Sequence, residues 1–333
     1  MIVASFLDGL KRTVSAPAIL IGVFAVTFAM TVPLALTVRA MVHEHLGASL
    51  AAGEAADGVN YDWWQEFMAQ AAGLGTTFTP AIIGFAAVLD NVSGLLDGET
   101  PIVPVAGALG AYLLVWTFVI GGVIDRYARQ RPTRAHGFFA ASGVFFGRFL
   151  RLAVMAGVGY WLLFAYVHAW LFDDWFIRVT RDLAVERAAF VWRLLMYAIF
   201  GLLLVAFNTL FDYAKIRAVV EDRRSMFGAI AASTRFVARN PGRVVGLYVM
   251  NAATFAVVIG TWALVAPGAG RAGAPMWFAF ALGQAYVIAR LLVKLHVLAS
   301  QTALFQSSFA HARYTAAPQP VWPESPAAEM IRG

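Results

Sequence analysis

The chain of 333 residues contains no cysteine, which removes disulfides, thiol nucleophiles and thiolate metal sites together. Charge is also scarce: 13% of residues are Asp, Glu, Lys or Arg, against about 25% in a soluble domain. Lysine is almost missing, with Lys11, Lys215 and Lys294 the only examples among 25 basic residues. No Gly-x-x-x-x-Gly-Lys-Ser/Thr loop is present to cradle a nucleotide phosphate, and no Gly-x-Ser-x-Gly elbow to raise a nucleophilic serine. His43-Glu44-His45 lacks the i, i+4 spacing of a helical zinc site. His168 and His296 are predicted in opposite leaflets, too far apart to share a haem. The residues therefore offer no catalytic, cofactor or metal site. The net charge of +6 is broken into short blocks, with no basic stripe for nucleic acid.

What the chain has is apolar length. Hydrophobic residues make up 60% of it, with 14% aromatic. A bilayer core about 30 Å thick needs roughly 20 apolar residues in a helix. Six segments meet this: 17–38, 101–124, 149–171, 189–211, 244–266 and 277–299. The expected fold class is all-α, a polytopic membrane protein with a single membrane domain over 1–314. The Pro-rich stretch 315–333 reads as a disordered cytoplasmic tail.

Charge bias orients the spans. Segment 125–148 carries Arg126, Arg129, Arg131, Arg134 and Arg148 against Asp125 alone. Segment 212–243 carries Lys215 and six arginines against Asp212, Glu221 and Asp222. With Lys11 and Arg12, these place both chain ends in the cytoplasm of a bacterial inner membrane. Segment 39–100, with eight acids and Arg39 as its one basic residue, reads as an outer acidic insertion. Its apolar stretch 78–96 contains Asp90 and Asn91 and is expected to lie at the outer face; the alternative is a seventh span with inverted topology. Trp170, Trp175, Trp192, Trp262 and Trp277 all fall at span ends assigned to that face.

Gly137-Phe-Phe-Ala-Ala-Ser142 recurs as Gly228-Ala-Ile-Ala-Ala-Ser233, each copy after an Asp that closes a span and before another span. A fainter version runs from Phe6 to Pro17. The pattern predicts three parallel repeats, each a cytoplasmic amphipathic helix followed by a helical hairpin. Arg134, Arg148, Arg151, Arg223, Arg224, Arg235 and Arg239 flank these helices and are expected at lipid headgroups, anionic ones among them; packing of the helices beneath the bundle is the alternative.

Polar residues inside spans are functional hypotheses. Arg290 and Lys294 share a face of the last span. Asp125 and Asp212 close the second and fourth spans, where an acid opposes the helix dipole. Pairing of these acids with Arg290 or Lys294 is therefore expected; the alternative is a helix that runs on into the cytoplasm with its charges solvated. Asn208, Asn251 and Gln284 are expected to hydrogen-bond between helices. The two asparagines sit near opposite parts of their spans and so argue against a shared polar site. Gly107 with Gly110, and Gly157 with Gly159, are expected at close helix approaches.

The run from Asp212 to Asp222 (Asp-Tyr-Ala-Lys-Ile-Arg-Ala-Val-Val-Glu-Asp) and the Ala-Ala-Ser and Arg-Asn-Pro-Gly-Arg elements up to Arg243 resemble a loose group of bacterial six-span membrane proteins. They are similar to the membrane domain attached to some glycerophosphodiester phosphodiesterases. The resemblance implies fold and inner-membrane location and carries over no catalytic residue. Segment 39–100 departs from it, and no soluble phosphodiesterase domain lies in this sequence.

The expected function is a non-enzymatic membrane scaffold or transport-associated subunit. Its partners would be membrane lipids, with protein partners reached through the outer loop 39–100 or the cytoplasmic loops. A permease, self-contained or driven by a separate ATPase, is the second reading, and a membrane enzyme of lipid metabolism the third.

Overall fold

A computed structural model describes residues 1–47, 49–57, 60–78, 92–267 and 273–309. Most of the expected outer helix 78–96, with Asp90 and Asn91, and the whole tail 315–333 lie outside the described residues. The described chain is helical, with no strand.

Helix α1 (Ile2–Val14) stops at Ser15-Ala16 because Pro17 disfavours a helical residue before it. Pro17 then opens α2 (Pro17–Leu46), where its missing N–H costs nothing. Short helices α3 (Ala52–Asp57) and α4 (Tyr61–Gln70) follow. Asn60 caps α4 by accepting from the Trp63 N–H at 2.9 Å. Helix α4 folds back on the end of α2: the Trp63 indole donates to His45 Nδ1 at 3.0 Å, and Trp63 stacks on Phe67.

The long helices come next. Helix α5 (Val103–Arg129) ends where Gln130 turns left-handed, φ 53°. Helix α6 (Ala135–Leu162) continues through two π-type turns to Thr180. Helix α7 (Glu186–Val220) ends just before Asp222, again at positive φ. Ser225 caps α8 (Met226–Arg239), and Pro241 opens α9 (Pro241–Val265). Helix α10 (Ala274–Ser308) completes the bundle. Among the described residues six helices, with α6 counted through Thr180, are long and apolar enough to cross a membrane.

The core is concentrated at one end. Tyr127, Ile124, Tyr213, Ile216, Phe236, Leu295 and Phe305 are all fully buried there. Between 6% and 22% of each candidate span's most apolar stretch is buried, so these surfaces are left to lipid. A smaller cluster around Leu171, Met196 and Phe200 joins α6 to α7 toward the opposite end, beside Trp175 and Trp192.

Small residues set the close approaches at the core end. A Cβ on Gly9 of α1 would lie 2.6 Å from backbone atoms of Ser300 in α10. One on Gly122 of α5 would lie 2.5 Å from Ser142 Oγ of α6. Ser233 of α8 donates to the Leu210 carbonyl of α7 at 2.7 Å. Of the four glycines expected at contacts, Gly159 meets the Phe207 ring, whereas Gly107, Gly110 and Gly157 have open space beside them. These three lie on lipid-exposed stretches, where a small residue has no neighbour to admit.

Helix α1 carries apolar residues on both faces. Its inner face fully buries Ser5, Gly9, Arg12 and Thr13, with Ile2 and Phe6 packed partly buried beside them. Arg12 reaches the Gln306 side chain at 2.6 Å, the Tyr127 carbonyl at 3.0 Å and Asp8 at 2.6 Å. Val3, Leu7, Leu10 and Val14 face outward on one stripe.

Candidate functional site

Arg290 and Lys294, one turn apart on α10, face a cavity of about 650 Å³. Four other helices contribute to it: Thr27 from α2, Tyr112 from α5, Asn208 from α7, and Tyr248 and Asn251 from α9. Phe255, Val287, Leu291 and Val297 supply much of the remaining wall. Lys294 lies fourteen residues, about 21 Å of helix, from the end of α10, so the cavity lies partway along the long helices and not at their ends.

Each cation is met by an aromatic ring. Lys294 Nζ donates to the Tyr112 hydroxyl at 3.1 Å and sits 3.7 Å from the centre of the Trp116 ring. The Arg290 guanidinium lies 5.6 Å from the Tyr286 ring. Such contacts contribute about 0.5–2 kcal/mol each. They steady a cation without neutralising it.

The expected ion pairs between α10 and the two acids are not formed. Asp125 pairs with Arg129 at 2.8 Å, and Asp212 with Lys215 at 2.6 Å. The physical reason is helix length. Both helices run on past the apolar segment, to Arg129 and to Val220, so a base on the next turn supplies the partner. Neither acid stands at a helix terminus, and the dipole penalty does not arise. Asp212 also accepts from Asn208 at 3.3 Å and from Gln301 at 3.5 Å.

The three amides differ in role. Asn251 donates to Ser300 across the α9–α10 contact at 3.1 Å, as an interhelical residue should. Asn208 bonds within its own helix, and Gln284 makes no hydrogen bond among the described residues. Asn208 and Asn251 nevertheless line one cavity. Helices α7 and α9 are connected through α8 and run in opposite senses, so the end of one span lies level with the start of the other. Opposite positions along antiparallel helices are the same depth, and the argument against a shared polar site fails.

The arginines expected at headgroups divide into two sets. Arg148 is held by Asp222 at 2.6 Å and the Arg223 carbonyl at 3.3 Å, and Arg223 pairs with Glu221. These two lock α6 to the turn after α7. Arg134, Arg151, Arg224, Arg235 and Arg239 are exposed. Sequence reasoning missed the buried pair Arg12 and Arg217. Arg217 donates to the Ala232 carbonyl at 2.6 Å and bridges Glu221 at 2.8 Å. Only the Arg217–Glu221 spacing of four hinted at it.

Toward the opposite end of the bundle, Asp97 accepts from the Tyr197 hydroxyl, from Ser93 and from Arg193. The Tyr197 hydrogen bond, helped by Ser93 and Arg193 and opposed by partial burial, holds the Asp97 carboxyl below the usual carboxylate range. A separate groove of about 390 Å³ between α2, α5 and the start of α6 is mostly apolar, with Arg126 among its lining residues. Among the described residues no three His, Asp or Glu side chains gather where they could hold a metal ion. Against known proteins, no family profile, curated protein or solved structure matches the chain.

Proposed function

We propose that the protein is a non-enzymatic, multi-pass protein of the bacterial inner membrane that works as a lipid-associated scaffold, with both described ends of the bundle chain in the cytoplasm. The observation that carries this reading is the outward apolar stripe of α1. A helix that buries Ser5, Gly9, Arg12 and Thr13 and presents Val3, Leu7, Leu10 and Val14 outward suits the acyl boundary beside the span that Pro17 begins. Arg134, Arg151, Arg224, Arg235 and Arg239 are exposed and suited to anionic headgroups.

The proposed architecture has three parallel repeats, and helix packing supports them. The start of α6 packs on the end of α5, α8 on the end of α7, and α1 on the end of α10. Ser142 and Ser233 each meet the preceding span's last apolar turn, and Phe145 and Phe236, three residues on, are both buried. A permease is the second reading, favoured by the polar cavity on five helices.

The absence of cysteine provides the test. A single Leu7→Cys or Leu10→Cys variant carries one environment-sensitive fluorophore in reconstituted vesicles. The scaffold reading expects quenching by lipids brominated near the headgroup. Quenching by aqueous iodide with no effect of brominated lipid overturns it.

A further inference from the structure

We infer that the cavity between α2, α5, α7, α9 and α10 binds the phosphate of an anionic lipid, with Arg290 and Lys294 as its charge partners. The inference is independent of α1 and holds for a scaffold or a permease.

Charge supplies the first argument. Ionisable residues at membrane depth are costly and persist where a partner or polar cavity meets them. Arg290 and Lys294 have no acid partner among the described residues; their contacts are the rings of Tyr286, Trp116 and Tyr112 and the Tyr112 hydroxyl. The nearest turn of α7 does carry an acid, Asp212, but Lys215 at 2.6 Å, Asn208 and Gln301 already meet its charge. Asp212 therefore borders the cavity through Asn208 but is answered by Lys215, and the two α10 bases are left with no acid partner of their own among the described residues, a charge that an anion can answer.

Shape and donor chemistry supply the second. A guanidinium gives two parallel donors matched to phosphate oxygens, and an ammonium adds a point charge. Asn208, Asn251 and Tyr248 also line the cavity; each amide donates one N–H elsewhere, to Asp212 and to Ser300, and keeps a second N–H as a donor for an oxyanion. At about 650 Å³ the cavity has room beyond a phosphate group, and Phe255, Val287, Leu291 and Val297 give that remainder an apolar wall. A phosphate joined to a hydrocarbon chain satisfies both parts. Arg290 is exposed, so the site is open at its side.

The full chain in detergent is titrated with short-chain phosphatidylglycerol, with short-chain phosphatidylcholine and with inorganic phosphate, following thermal unfolding. Native mass spectrometry counts bound lipid on the wild-type protein. The inference expects phosphatidylglycerol to stabilise at concentrations where phosphatidylcholine does not. The double variant Arg290→Gln, Lys294→Gln should weaken this about thirtyfold, and Arg290→Lys, Lys294→Arg should preserve most of it. Equal stabilisation by inorganic phosphate, lost in the same double variant, keeps the oxyanion site and assigns it to a water-borne ligand. Equal binding of both lipids, or phosphatidylglycerol binding unchanged in the double variant, overturns the inference. If the double variant does not fold, mass spectrometry of the wild type decides: no preference for the anionic lipid and no retained phosphate overturns it.

Discussion

Replacing Gly9 by Ala sets two effects of known sign against each other. In a helix interior Ala is favoured over Gly by about 1 kcal/mol. At Gly9 the new Cβ would sit 2.6 Å from the N, Cα and Cβ of Ser300. Two of these are backbone atoms in the middle of α10 and cannot rotate away. Overpacking costs about 1–3 kcal/mol when side chains can adjust, and the upper part of that range applies here. The net effect expected is a loss of about 2 kcal/mol. Gly110→Ala is the matched control: it too lies in a long helix, with open space where its Cβ would go, and should gain about 0.5–1 kcal/mol. Thermal unfolding in detergent compares the two, and hydrogen exchange over residues 2–14 reports whether α1 has come loose. Equal stabilisation by both substitutions, with unchanged protection of α1, would refute the close α1–α10 contact.

A double-mutant cycle on Asp212→Asn and Lys215→Gln should give a coupling of about 0.5–1 kcal/mol, whereas Asp212→Asn with Arg290→Gln should be additive within about 0.3–0.5 kcal/mol. Strong coupling to Arg290 would restore the pairing across α7 and α10 that the geometry denies. Asp97 yields a pH prediction. Its folded pKa is lowered, so the unfolded chain binds the proton more readily at acid pH. The stabilisation is therefore present above the unfolded value, about 3.9, and is lost as pH falls through the folded one. Melting curves between neutral pH and pH 3 should narrow the difference between wild type and Asp97→Asn toward the acid end; a constant difference across that range contradicts the assignment.

The six long helices were legible because each carries the apolar length a bilayer demands, and Pro17 and Pro241 mark two of their starts in plain letters. Helix ends were not, since polar turns such as Ala128-Arg129 and Lys215–Val220 continue a helix without any change in hydropathy that marks a span. That hidden length decides the partners of Asp125 and Asp212. The candidate site was half legible. Arg290 and Lys294 stood out as charges in an apolar run, but depth along a span cannot be compared between helices until their directions are taken into account. Asn208 and Asn251 show the cost of omitting that step. Arg12 was invisible as a buried residue: beside Lys11 it reads as a topology signal, and only the fold turns it toward Tyr127 and Gln306.

The seating of α1 on α10 also orders events during synthesis. Phe6 meets His296, Arg12 meets Gln306 and Ser5 meets Ser307, so α1 has its partners in α10, almost 300 residues further along the chain. At about 5–20 residues per second, translation leaves α1 waiting roughly 15–60 s for them. During that interval its outward stripe of Val3, Leu7, Leu10 and Val14 can rest on the bilayer, while Arg12 still lacks its later companions. A ribosome stalled before residue 290 would hold five spans in place with the buried end unsealed. The seal of this end of the bundle is thus tied to the synthesis of α10.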